Sequence, residues 1–121
     1  MPLVPVVIRY KGRASPKLNF VADTGADHCT INAGIGRSIG IDIKTGTLDH
    51  VSGVEQKPMD VWFHNVEMDV EGRRFKVWCG FADIGPIPGL LGRDGFFNRF
   101  TVIFDQRNEH LVLKYKDADL L

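Results

Sequence analysis

The chain has 121 residues, 15 of them basic and 15 acidic, with 44% hydrophobic and 25% charged residues. This length and balance fit one globular domain, residues 1–121. Cancelled charge leaves no excess to hold a phosphate backbone, so no nucleic acid partner is expected. No segment reaches the roughly 20 apolar residues that cross a bilayer, so no membrane segment is expected.

The opening stretch "MPLVPVVIRYKG" is apolar but meets Arg9 early and carries two prolines, with no basic start and no small-residue cleavage site. It does not read as a signal peptide. A cytoplasmic location is favoured if this is the whole chain; a domain of a larger precursor is the other reading. "VPVVIRY" is rich in strand formers, "KGRASP" is a turn cluster, and "KLNFVAD" alternates Leu18, Phe20 and Ala22 on one face. Together they predict an opening hairpin. "INAGIGRSIGID" offers Asn32 as an N-cap and Gly40 as a stop, a short helix weakened by its internal glycines.

From Thr45 to Asp83 two successive hairpins are expected, the first turning near Gly53 and the second at Glu71-Gly72. In the second, Val66, Met68 and Val70 alternate with charged residues, as do Phe75 and Val77 across the turn. The stretch "IGPIPG" then leads into "LLGRDGFFNRF" and a closing strand pair, "TVIFDQRNEHLVLKY". The fold class is therefore all-β with one or two short helices. Cys29 and Cys79 are too few for a disulfide framework and read as two reduced thiols. Their spacing matches no zinc pattern and the four histidines are scattered, so neither a metal nor a cofactor is expected.

The stretch "FVADTGADHCTI" ends an apolar run on a carboxylate, Asp23. An Asx-turn would explain Asp-x-Gly after a strand. Phe20-Val21-Ala22 is apolar on both faces, however, which predicts that Asp23 leaves a buried strand. A buried acid costs several kcal/mol unless it is paired, hydrogen-bonded or protonated.

"FVADTGADHCTI" resembles the active-site strand of the retroviral-type, retropepsin-like aspartic proteases, and "GLLGRDGFF" is similar to the second signature of that family. The order and separation of the two stretches also fit, so the resemblance covers nearly the whole chain. It implies a closed β-barrel lobe, with a short helix after the second signature. Asp23, Thr24 and Gly25 would be the catalytic triplet: the acid, a hydroxyl locking paired loops, and a close backbone approach. Ala26 and Asp27 would line the substrate cleft. Arg93 would pair with Asp27, either as a brace behind the loop or as an ordinary surface ion pair. Leu90, Leu91 and Gly92 would pack beneath the catalytic strand. The hairpin around "HVSGVEQKP" would be a flap with Gly53 at its tip, although it is less glycine-rich than the family pattern and an ordinary surface hairpin is equally open.

The chain contains one Asp-Thr-Gly and no Asp-Ser-Gly, whereas the chemistry implied by the resemblance needs two carboxylates. That implies a symmetric homodimer with one Asp23 from each copy, hydrolysing peptide or protein substrates. The alternative is a non-catalytic dimerisation or peptide-binding module. His28 and Cys29 are sequence neighbours that point to opposite faces, which argues against a cysteine–histidine pair. Trp62 and Trp78 read as core or sheet-surface anchors.

Overall fold

The computed structural model describes residues 2–52, 58–108 and 110–116. Strand β1 (Leu3–Tyr10) buries Val4, Val6 and Ile8 on one face. The chain reverses at Lys11-Gly12, both with positive φ, and returns as β2 (Arg13–Ala14) and β3 (Leu18–Ala22), antiparallel to β1. The kink between β2 and β3 is tied by Ser15, whose buried hydroxyl accepts from the Ile8 amide at 3.0 Å and donates to the Pro16 carbonyl at 2.8 Å. The expected hairpin is thus present, with Phe20 and Ala22 buried and Leu18 half-buried on its inner side.

Strand β4 (Thr30–Asn32) runs directly into the helix α1 (Ala33–Ser38). Asn32 caps it, its side-chain oxygen accepting from the Gly34 amide, and Gly40 follows the end with φ +92°. Gly36 has a packing reason to sit in a helix: a Cβ there would come within 2.9 Å of the Phe81 ring. A 3₁₀ turn, Ile43–Thr45, then leads to β5 (Thr47–Ser52), β6 (Pro58–Val70) and β7 (Arg73–Ala82). These strands pair in order as the two expected hairpins. The inward set Val66, Met68, Val70, Phe75 and Val77 is buried, as the alternation predicts.

Three short strands complete the order: β8 (Gly89–Leu91), β9 (Phe100–Asp105) and β10 (His110–Tyr115). The large sheet runs β2-β1-β3-β8-β4-β7-β6-β5, and β1 also pairs with β6. Leu3 to Val6 of β1 pair with β3, while Val7 to Arg9 pair with β6. One strand thereby serves two neighbours and closes six strands into a barrel, so that only β2 and β5, which lie outside the ring, end the sheet. Two of its pairings, β3–β8 and β4–β7, are parallel. Phe20, Phe81, Phe96, Phe100, Ile8 and Met68 are among the side chains that fill the interior. Strands β9 and β10 form a separate two-stranded sheet.

The fold is thus all-β, with one short α-helix among the described residues. The short helix expected after Arg93 is instead a run of turns. Gly95 within it has φ +104°, and the amides of Phe97 and Asn98 reach back five residues to Gly92 and Arg93. A left-handed residue at that position prevents regular helical repetition.

The β6–β7 turn places Glu71 at φ 51° and Gly72 at φ 75°. A glutamate in the left-handed region is strained, whereas asparagine is at home before glycine in this type of hairpin turn. Glu71→Asn is expected to stabilise the chain by about 0.5–1 kcal/mol, read as a higher urea midpoint at unchanged slope.

Candidate active site

The site grows from the way β8 is wedged between β3 and β4. Val21 and Ala22 of β3 pair with Leu90 and Leu91, and on the other side Thr30 and Ile31 of β4 pair with Leu90 and Gly89. Residues 23–29 must therefore leave the barrel and re-enter it one strand further over. That forced excursion is the loop carrying Asp23, Thr24, Gly25, Ala26 and Asp27.

Backbone hydrogen bonds define its shape. The Asp23 amide donates to the Leu91 carbonyl at 2.9 Å, and the Ala26 amide closes a turn onto the Asp23 carbonyl at 3.1 Å. The amides of Arg93 and Asp94 donate to the carbonyls of Ala26 and Asp27, each at 2.9 Å. Gly92 lies between these anchors, where a Cβ would stand 2.3 Å from the His28 carbonyl oxygen and 2.8 Å from that of Ala26. Only glycine allows the two segments to approach this closely. Leu91 is fully buried beneath them and Leu90 half-buried.

Asp23 accepts from the Gly25 amide through Oδ1 at 2.8 Å. This is the Asx-turn considered above; it orients the carboxylate. The strand leading to Asp23 is buried as expected, but the acid itself is half-buried in this single chain, and Thr24 and Gly25 are exposed. The loop stands at the surface because the barrel ends at Ala22. Asp23 and Thr24 border an open concavity of about 430 Å³, with Pro2, Ala22, Phe97 and Val102 as the other walls.

The second acid of the loop is otherwise committed. The Asp27 carboxylate accepts from the Arg93 guanidinium, with side-chain exposures of 70% and 62%. Ala26 is half-buried. Gly53, the expected flap tip, lies outside the described residues, while β5 and β6 lead towards it. His28 and Cys29 diverge as expected, with His28 edge-on to Phe63 and Cys29 fully buried. Trp78 is exposed and stacks on Phe63, and Trp62 is half-buried beneath Lys44.

Pro2, Phe97 and Val102 escaped the sequence reading. Their place beside Asp23 follows from a backbone bond between chain segments, the Ala22 amide donating to the Pro2 carbonyl at 2.9 Å, and from the turns after Arg93. No residue pattern signals either.

Three solved structures resemble this fold. A retropepsin-like aspartic protease from Rickettsia conorii superposes with TM-score 0.64 and 19% identity, covering 91% of this chain and 89% of that one. The retroviral protease-like domain of Ddi1 from Leishmania major gives 0.61 at 11% identity, over 97% and 90%. EIAV protease, complexed with the inhibitor HBY-793, gives 0.58 at 24% identity, over 76% and 81%. No family model matches the chain, and no curated protein matches it. The chain has the retropepsin-like fold, that of an aspartic protease lobe.

The tightest packing in the site tests its architecture. Gly92→Ala is expected to destabilise the chain by at least about 2 kcal/mol, because backbone rather than a flexible side chain blocks the added methyl. Thermal or urea unfolding measures this, and an unchanged midpoint would mean that the 26–28 segment moves freely away from Gly92.

Proposed function

We propose that the chain is an aspartic endopeptidase that works as a symmetric homodimer on extended polypeptide substrates and needs no cofactor. The observation that carries this reading is the presentation of Asp23: an oriented, half-buried carboxylate at the open end of a barrel, with the neighbouring acid Asp27 engaged by Arg93. The exposed apolar side chains support a second copy as the cover. Leu3 on β1 and Ile103 and Phe104 on β9 are 52%, 44% and 55% exposed, and β1 and β9 lead from the walls of the Asp23 concavity.

In such a dimer the two Asp23 carboxylates meet across the two-fold axis. Like charges about 3 Å apart cannot both ionise easily, so the pair shares one proton, as aspartic proteases do. The ionised member takes a proton from a trapped water, whose oxygen attacks the scissile carbonyl carbon. The protonated member donates to the carbonyl oxygen. Thr24 and Gly25, exposed in the single chain, would be covered by the partner's loop. The β5–β6 hairpin would close over the substrate and exclude water. Ala26 and Asp27 would flank the bound peptide, and Leu90, Leu91, Gly92 and Arg93 would hold the loop in place.

Asp23→Asn tests the mechanism. The near-isosteric amide keeps the fold but cannot act as base, so turnover of a denatured protein should fall by at least about 10²–10⁴-fold, the range that general acid–base catalysis supplies. Specific activity of the unaltered chain should also fall on dilution, in step with dimer dissociation followed by sedimentation. A fully active monomer would overturn the reading, and a peptide-binding dimer without turnover would favour a non-catalytic module.

The Asp27–Arg93 pair separates bracing from mere contact. As an exposed ion pair it contributes only about 0.2–1 kcal/mol to monomer stability. Arg93→Ala is therefore expected to leave the melting midpoint nearly unchanged while lowering activity or dimer affinity by more than about tenfold, or 1.4 kcal/mol. Equal, small effects on all three measurements would reduce the pair to a surface contact.

A further inference from the structure

Beneath the loop lies a pair of sulfur atoms that the proposed hydrolysis does not use. The β4–β7 register opposes Thr30 to Gly80 and Ile31 to Phe81, so one step earlier Cys29 faces Cys79. The Gly80 amide donates to the Cys29 carbonyl at 3.0 Å, which locks that register. Both cysteines are free thiols with 0% exposure, and they stand close enough for each to shift the ionisation of the other. Directly paired strands lie about 4.8 Å apart, within the Cα separations of about 4.4–6.8 Å that disulfides span.

Cys29 also reaches the loop's support. Its Sγ accepts from the Gly92 amide at 3.5 Å and donates to the Asp94 carbonyl at 3.7 Å. These residues flank Arg93, the partner of Asp27. The sulfur therefore sits between the β-barrel and the segment that holds the Asp23 loop.

We propose that Cys29 and Cys79 form a reversible disulfide within one subunit, and that closing it withdraws sulfur from Gly92 and loosens the 92–94 support of the loop. With hydrogen peroxide as oxidant, the Cys29 thiolate attacks one peroxide oxygen and the O–O bond breaks, giving a sulfenic acid and hydroxide, which takes up the proton the Cys29 thiol had lost and leaves as water. Cys79 sulfur then attacks the sulfenic sulfur, the S–S bond forms, and hydroxide leaves with the Cys79 proton as a second water. Two thiols lose two electrons and peroxide gains them. The electrostatics favour this order. The Cys79 S–H bonded to it, joined by the Gly92 amide, holds the Cys29 thiol below its ordinary value despite burial, whereas burial pushes Cys79 well up. Full burial makes local opening the rate-limiting event, so oxidation is slow and mild urea accelerates it.

The test treats the folded chain with hydrogen peroxide and maps peptides without reduction. The expected product is a Cys29–Cys79 linked peptide pair from a single chain, lighter by two hydrogens and reversed by dithiothreitol; Cys79→Ser and Cys29→Ser each abolish it. Two thiols still open to alkylation after unfolding, sulfinic acid at either cysteine alone, or links only between chains would overturn the proposal. The coupling to the loop is read separately by amide hydrogen exchange: Gly92 should exchange at least tenfold faster in the oxidised form. Unchanged exchange there would overturn the coupling even if the disulfide forms. Neither readout depends on peptidase activity, so failure of the protease reading is distinguishable from failure of this one. If the chain hydrolyses peptides, oxidation should lower its turnover several-fold, with recovery on reduction and resistance in Cys79→Ser.

Discussion

The close approach of residues 91–94 to residues 23–28 is the constraint on which the site depends. Three amides cross that seam to carbonyls, from Asp23 to Leu91, from Arg93 to Ala26 and from Asp94 to Asp27. The seam closes only because position 92 carries no side chain, since the His28 and Ala26 carbonyls occupy the space a methyl group would need. Each such backbone hydrogen bond is worth about as much as an exposed ion pair or somewhat more, so the three together hold the loop more tightly than one side-chain ion pair at the surface. The Asp27–Arg93 pair adds a charged clasp outside a seam that the backbone already defines.

Barrel closure gives the seam a rigid base. Strand β1 divides its length between β3 and β6, so no edge of the six-strand ring is left to slip. Insertion of β8 between β3 and β4 makes the chain leave the sheet at Ala22 and return at Thr30. A carboxylate at the point of exit is half in the barrel and half in water. In the proposed dimer the partner supplies what is missing, a second acid and a dry surrounding. The apolar side chains on β1 and β9 offer the surface that such a partner would cover. The buried thiols connect the same seam to β7, the strand beside β4, since Cys29 accepts from the Gly92 amide and faces Cys79.

Much of this was legible in the residues. The alternation of Val66, Met68 and Val70 marked an inward strand face, Glu71-Gly72 marked a turn, and Asn32 and Gly40 bounded a short helix, because each feature depends on neighbours within a few positions. Asp23 stood out for the same local reason, an acid directly after an apolar run, and the two signature stretches carried the resemblance to the retropepsin-like fold. The helix expected after Arg93 failed on a local conformation: Gly95 adopts φ +104°, and glycine in a sequence does not declare which sign its φ takes.

Other features belonged to the tertiary structure alone. Parallel pairing of β3 with β8 and of β4 with β7 joins segments about 50 to 70 residues apart, and nothing local encodes such a register. Everything that follows from register was therefore hidden: Cys79 opposite Cys29, Pro2 and Val102 beside Asp23, and the steric demand for glycine at position 92. Sequence determined which residues could carry the chemistry, because residue type and local pattern decide that. Three-dimensional closure decided which of them stand together, because the strand that carries the second signature is threaded between the two strands that carry the first.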